Sequence, residues 1–280
     1  MKAMILRKLS RLGEHETPLE LVELPDPTPG AGELLIEVST SGVCHTELDE
    51  IEGRTPPPNL PIVLGHQVVG NVKALGQKVE AFHVGDRVGI AWIYSACGAC
   101  GHCRDGNENL CRDFRATGRD ADGGYAELMT IPEASAYPIP EVLTDSEAAP
   151  LLCGGAIGYR SLRLTGIEDG QTLGLTGFGA SAHLVLKMVR FRYPRIRVFV
   201  FARNEEERQF SIELGAVWAG DTEARSPERL NAIIDTTPAW KPVVKALENL
   251  APGGRLVINA IRKEDVDKDY WSKLDLSLIH

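Results

Sequence analysis

The chain has no apolar run near the roughly 18 residues that a membrane span needs. Its opening Met1-Lys2-Ala3-Met4-Ile5-Leu6-Arg7-Lys8 also lacks an apolar core of signal-peptide length. A membrane-spanning or secreted protein is therefore not expected, and a cytoplasmic location is. A basic stripe is missing as well. Lys and Arg total 30 against 39 Asp and Glu, a formal charge of −9, and the one cationic stretch, 190–197, is short, so nucleic acid is not an expected partner. Cysteine is scarce: six in 280 residues, four of them within fifteen positions, too few and too clustered for a disulfide scaffold and better suited to metal-bound thiolates in a reducing compartment. No internal repeat and no low-complexity tract interrupts the chain.

What is present divides into two rhythms. Up to about residue 152 the sequence is rich in Gly, Pro and short β-branched runs, as at 33–38, 68–72 and 86–90, bounded by turn residues such as Pro29-Gly30. This half reads as an all-β, barrel-like domain with long loops. After Cys153 the pattern becomes strand, glycine turn, helix, strand. Thr172-Leu173-Gly174-Leu175-Thr176 is a short buried strand, 180–190 has helical composition that Pro194 stops, and 196–201 is the next strand. Asn204 caps a helix whose first turn is acidic and whose C′ residue is Gly215. Residues 232–235 form another strand, Thr237-Pro238 opens a further helix as cap and N1 proline, and 255–260 is strand again. Repeated βα units call for a parallel sheet with right-handed crossovers. The expected boundaries are 1–153 and 154–280.

Three motifs carry chemistry. Cys97-x-x-Cys100-x-x-Cys103 followed by Cys111 places four thiolates at short spacing among turn-forming glycines, the pattern of a closed, structural, tetrahedral zinc site. Residues 42–67 hold Cys44-His45-Thr46-Glu47 and His66, a thiolate and an imidazole of the kind a borderline-soft cation prefers, and Cys153 is the candidate third ligand. Gly177-Phe178-Gly179-Ala180-Ser181-Ala182 matches G-x-G-x-x-A between a strand and a helix, where backbone N–H groups can receive a pyrophosphate. About 20 residues on, where an NAD-preferring fold places an acid on the ribose 2′-hydroxyl, the chain has Phe201-Ala202-Arg203-Asn204. Arg203 offers a partner for a 2′-phosphate, so the reading leans to NADP, with NAD the alternative.

Together with Gly85-Asp86-Arg87-Val88-Gly89 and Gly123-Gly124-Tyr125-Ala126-Glu127, these motifs resemble the zinc-dependent alcohol dehydrogenases of the medium-chain dehydrogenase/reductase superfamily. The resemblance implies an α/β plus β fold: a GroES-like barrel catalytic domain followed by a Rossmann doubly wound parallel sheet. It implies hydride transfer between an alcohol and NAD(P), giving an aldehyde or ketone. Cys44, His66 and Cys153 would bind a catalytic zinc and Cys97, Cys100, Cys103 and Cys111 a structural one. Glu47 would orient His66, Thr46 would carry the alcohol proton away, and His45 would lie near the cofactor phosphates. Ile51 and Trp92 would be walls of the substrate pocket, Trp92 being equally readable as core.

The chain departs from the family at Gln67, where an acid is usual, at Asp49, where a proton-relay His is usual, and at Ile157, often a Thr near the nicotinamide. Residues 262–280 look unlike the family's continuation, so the resemblance implies a truncated chain lacking the last Rossmann strand, through which relatives form homo-oligomers. The alternative is an inert, shortened paralogue that keeps the structural zinc as a binding or assembly protein. His15, His83, His102, His183 and His280 have no partner pattern, and Met4, Met129 and Met188 read as core filler.

Overall fold

The computed structural model describes residues 1–13 and 17–274, so that His15, His280 and the last of the chain's unusual end lie outside the described residues. The chain divides into two compact units, Met1–Cys153 and Gly154–His280.

The first unit contains strands β1 (Lys2–Leu6), β2 (Glu20–Glu23), β3 (Glu33–Ser41), helix α1 (His45–Ile51), β4 (Ile62–Val63), β5 (Val68–Leu75), β6 (Arg87–Ile90), β7 (Ile93–Ser95), helix α2 (Gly101–Arg104), β8 (Arg115–Ala116), β9 (Leu128–Pro132), β10 (Ala136–Pro138) and helix α3 (Asp145–Ala148). A five-stranded sheet runs in the order β10-β6-β5-β3-β9 with antiparallel neighbours, and a three-stranded sheet in the order β2-β1-β4. Alternation along the strands explains the core. Leu34 and Ile36 of β3, Val68 and Val72 of β5, Val88 and Ile90 of β6, and Met129 and Ile131 of β9 point to one side and bury against each other. The three strand stretches read from the sequence are all strands here, with β3 and β5 each three residues longer. Ile51, expected at a substrate wall, instead packs in a separate core with Leu6, Ile62 and Leu64.

The second unit opens with helix α4 (Gly154–Thr165) and continues β11 (Thr172–Thr176), α5 (Ala180–Arg192), β12 (Arg197–Phe201), α6 (Glu205–Glu213), β13 (Trp218–Gly220), β14 (Leu230–Asp235), α7 (Lys241–Asn249) and β15 (Leu250–Ile258). Its sheet is parallel, in the order β13-β12-β11-β14-β15, a Rossmann-like arrangement of five strands. Strand β12 shows why both faces are covered. Val198 and Val200 join Val185, Leu186 and Val189 of α5 in one core, while Phe199 and Phe201 join Leu230, Ile233 and Ala246 of α7 in another. Asn204 Oδ1 accepts the Glu206 N–H at 2.9 Å as an N-cap, and Gly215 follows the C-cap with φ +103°.

One helix start differs from expectation. Thr237 does not cap α7, because its hydroxyl donates to Asp235 at 2.8 Å; the helix begins at Lys241, with Pro242 in its first turn. The N–H groups of Trp240 and Lys241 are satisfied from a distance by the Asp267 carboxylate, at 2.8 to 3.0 Å.

Candidate active site and metal centre

Cys44 is the extended residue that precedes α1, and the helix start is fixed by Glu47, whose Oε2 accepts the Cys44 N–H at 2.8 Å. The other oxygen, Oε1, lies 2.6 Å from His66 Nδ1. One carboxylate thus closes a helix turn and aims an imidazole. His66 sits between β4 and β5, where the chain turns at Gly65 with φ +101°; a side chain there would collide with the Tyr125 ring. Cys153 ends the 3₁₀ turn Ala149–Leu152 and brings its Sγ to 3.8 Å from that of Cys44. The donor atoms of Cys44, His66 and Cys153, from three distant segments, all lie within 4.8 Å of one another. His66 is buried, and its Nε2 has no hydrogen-bond partner among the described residues.

The electrostatics match this convergence. The Cys153 thiol donates toward Cys44 and outweighs burial, bringing Cys44 down to about 3, with His66 and Thr46, whose Oγ1 is 3.5 Å away, adding to the effect. The same sharing, followed by burial, pushes the Cys153 thiol up. Burial opposes protonation of His66, but anionic Cys44 and Glu47 lift it to about 9. Two sulfurs share one proton while the imidazole holds its own, and a divalent cation can displace both protons.

Around the centre, the Trp92 ring meets His66 edge-on, with centroids 5.1 Å apart. Asp49 is buried and accepts from Arg54 Nε at 2.5 Å, while exposed His45 lies 3.9 Å from it across one helical turn. Glu50 belongs to no sequence motif. It is 1% exposed, neither carboxylate oxygen has a partner among the described residues, and burial followed by the charge of Glu47 pushes it up to about 8. The available signal was its i+3 spacing from Glu47 on a helix seven residues long.

The four-cysteine loop is local by contrast. Helix α2 carries Cys103, and the 3₁₀ turn Glu108–Leu110 delivers Cys111. Cys103 Sγ lies 3.9 Å from Cys97 and 3.5 Å from Cys100, and all four sulfurs lie within 4.8 Å of one another. Backbone N–H groups of Ala99 and Cys100 lower the Cys97 thiol to about 6.

In the second unit, Gly177 follows β11 with φ +75°, and Gly179 is the residue before α5. A methyl group built on Gly179 would meet nothing within 4 Å among the described residues, so the backbone at this helix N-terminus is open to a ligand there. Ala180 and Ser181 begin the helix, and Ala182 is buried in its core face. Arg203 is exposed two residues beyond the end of β12, and the next acid along the chain is Glu205, in the first turn of α6.

Residues 30–141 match the model of the alcohol dehydrogenase GroES-like domain. The chain is 44% identical over 274 residues to the probable alcohol dehydrogenase AdhA of Mycobacterium tuberculosis, spanning 95% of this chain and 79% of that one. Among solved structures, an NAD-dependent alcohol dehydrogenase superposes with a TM-score of 0.86 at 25% identity, covering 100% of this chain and 81% of that chain. A candidate zinc-binding dehydrogenase of Sinorhizobium meliloti 1021, bound to NADP, does so with 0.82 at 26% identity, covering 94% and 78%.

Proposed function

The chain belongs to the alcohol dehydrogenases that carry a GroES-like domain, and from that premise we propose that it is a zinc- and nicotinamide-dependent enzyme interconverting alcohols with aldehydes or ketones. The observation that carries the reading is the convergence of Cys44, His66 and Cys153 around an unsatisfied imidazole nitrogen. Zn–S bonds of about 2.3 Å at a tetrahedral angle put two sulfurs about 3.8 Å apart. The Cys44 and Cys153 sulfurs have that separation, 3.8 Å, and those of the four-cysteine loop are close to it. The first set has three donors, leaving a fourth position for substrate, and the second has four. Both sets are intact, so nothing in the site favours the inert alternative.

In this reading Cys44, His66 and Cys153 hold the catalytic ion, and Cys97, Cys100, Cys103 and Cys111 the structural one. The bound groups supply Lewis-acid activation of the hydroxyl or carbonyl and a nicotinamide that takes or gives hydride. Glu47 keeps the His66 tautomer that leaves Nε2 free for the ion. The Thr46 hydroxyl, beside the Cys44 sulfur, would relay the substrate proton, accepting it while giving up its own hydrogen to water. Asp49 does not end the relay as a free base, because Arg54 occupies it. The glycine loop and the open N-terminus of α5 receive the dinucleotide pyrophosphate. In the same reading Arg203 pairs with a ribose 2′-phosphate, which favours NADP.

The test is nicotinamide absorbance change with a panel of primary and secondary alcohols, each cofactor in turn, alongside metal analysis. Two zinc ions per chain and turnover are expected, with Arg203→Ala lowering the preference for NADP over NAD. One zinc and no turnover with any alcohol would defeat the proposal.

A further inference from the structure

The loop after β15 returns a buried lysine to the carboxyl end of the parallel sheet. Asp235, the last residue of β14, is fully buried and stands in register with Thr176, the last residue of β11. These two strands flank the point where the strand order reverses, the place where open α/β sheets bind ligands. Asp235 Oδ1 accepts the hydroxyls of Thr176 at 2.5 Å and Thr237 at 2.8 Å. Its Oδ2 pairs with Lys263 Nζ, and the same ammonium donates to the Thr237 carbonyl at 2.7 Å. The Lys263 side chain is 7% exposed.

This network ties Thr237, near the start of the segment 236–240 that precedes α7, to the end of β14. The Thr236 N–H and hydroxyl both donate to the Thr176 carbonyl, at 3.0 and 2.9 Å. Thr236 and Thr237 then stand so close to Gly177 that any side chain there would strike them. Thr236 and Thr237 thus wall the glycine turn, and Thr237 is held in place by both members of the Asp235 and Lys263 pair. A buried ion pair is rarely more stabilising than an apolar pair of the same volume, so fold stability alone gives little reason for one here.

We propose that Lys263 is a positioning residue for the nicotinamide half of the cofactor: it staples residues 236–240 to the switch point and so sets the wall against which that half lies. The inference rests on the dinucleotide reading above. The first half of the sheet, β11 to β13, is a separate mononucleotide unit, which makes the proposal selective. The staple should matter for a whole dinucleotide and not for ADP, which has no nicotinamide half.

The test is calorimetric binding of NADPH, NADH and ADP to the full zinc-loaded chain, without substrate. Lys263→Met should weaken whichever dinucleotide binds by about tenfold or more and change ADP by less than about threefold, with Lys263→Arg recovering most of the loss. Because Lys263→Met strands a buried carboxylate, the double variant Asp235→Asn, Lys263→Met is measured as well; it leaves no unpaired charge and should show the same selective loss. Equal loss of ADP and dinucleotide, or wild-type dinucleotide affinity in the double variant, overturns the staple. A wild-type chain that binds neither ligand overturns the cofactor reading and the staple with it.

Discussion

The two sulfur clusters of the first unit solve different problems with nearly the same atoms. The loop from Cys97 to Cys111 gathers four thiols within fifteen residues, with backbone N–H groups already directed at sulfur. The other cluster joins a helix start, a turn between strands and the end of a 3₁₀ turn, and brings a buried imidazole nitrogen within 4.8 Å of two sulfurs. Four donors close a coordination sphere, whereas three leave it open. The local site can form as soon as its loop forms. The distributed one exists only when the unit is folded, and it needs a carboxylate to hold its imidazole.

If that contrast is right, Cys153→Ala should be the most damaging single change to activity. Losing a ligand to the Lewis acid forfeits several kcal/mol, so kcat/KM should fall about a thousandfold or more, with one of two zinc ions missing and little change in thermal midpoint. Cys97→Ser should reverse the pattern. The loop loses its metal and roughly 3 kcal/mol or more, seen as a drop of about 10 °C in thermal midpoint, while activity per folded molecule persists. Equal thermal losses in the two variants would erase the distinction.

A finer test is Glu47→Gln, which keeps an oxygen for the Cys44 N–H but removes the charge beside His66. Zinc affinity at the three-donor site should fall about 10- to 100-fold, measured by competition with a chelator, and the four-cysteine site should be unaffected. The smallest effect is expected from Glu50→Gln. A carboxyl whose folded value is raised from 4.5 to about 8 binds more protons folded than unfolded, so its contribution to stability declines as pH rises between those values. The variant should therefore gain on the order of 1 to 2 kcal/mol over wild type at pH 8 and little at pH 5, read from thermal midpoints. An equal gain at both would show that Glu50 is not held protonated.

Features that depend on short spacing are legible in the order of residues alone. The four-cysteine loop, the strand β11 with its glycine turn, the Asn204 cap and the Gly215 stop are all interactions among residues a few positions apart. Helix α4 was hidden because it opens with Gly154 and Gly155, which suppress a helical signal that tertiary packing then overrides. Thr237 looked like a cap because nothing local reveals that a buried aspartate will take its hydroxyl. The same is true of Asp267 capping α7 from 26 residues away, and of Glu50 facing Glu47 in a space closed to water. Such contacts are set in the folded chain, where burial and long-range closure fix which polar groups lose their water and must find one another instead.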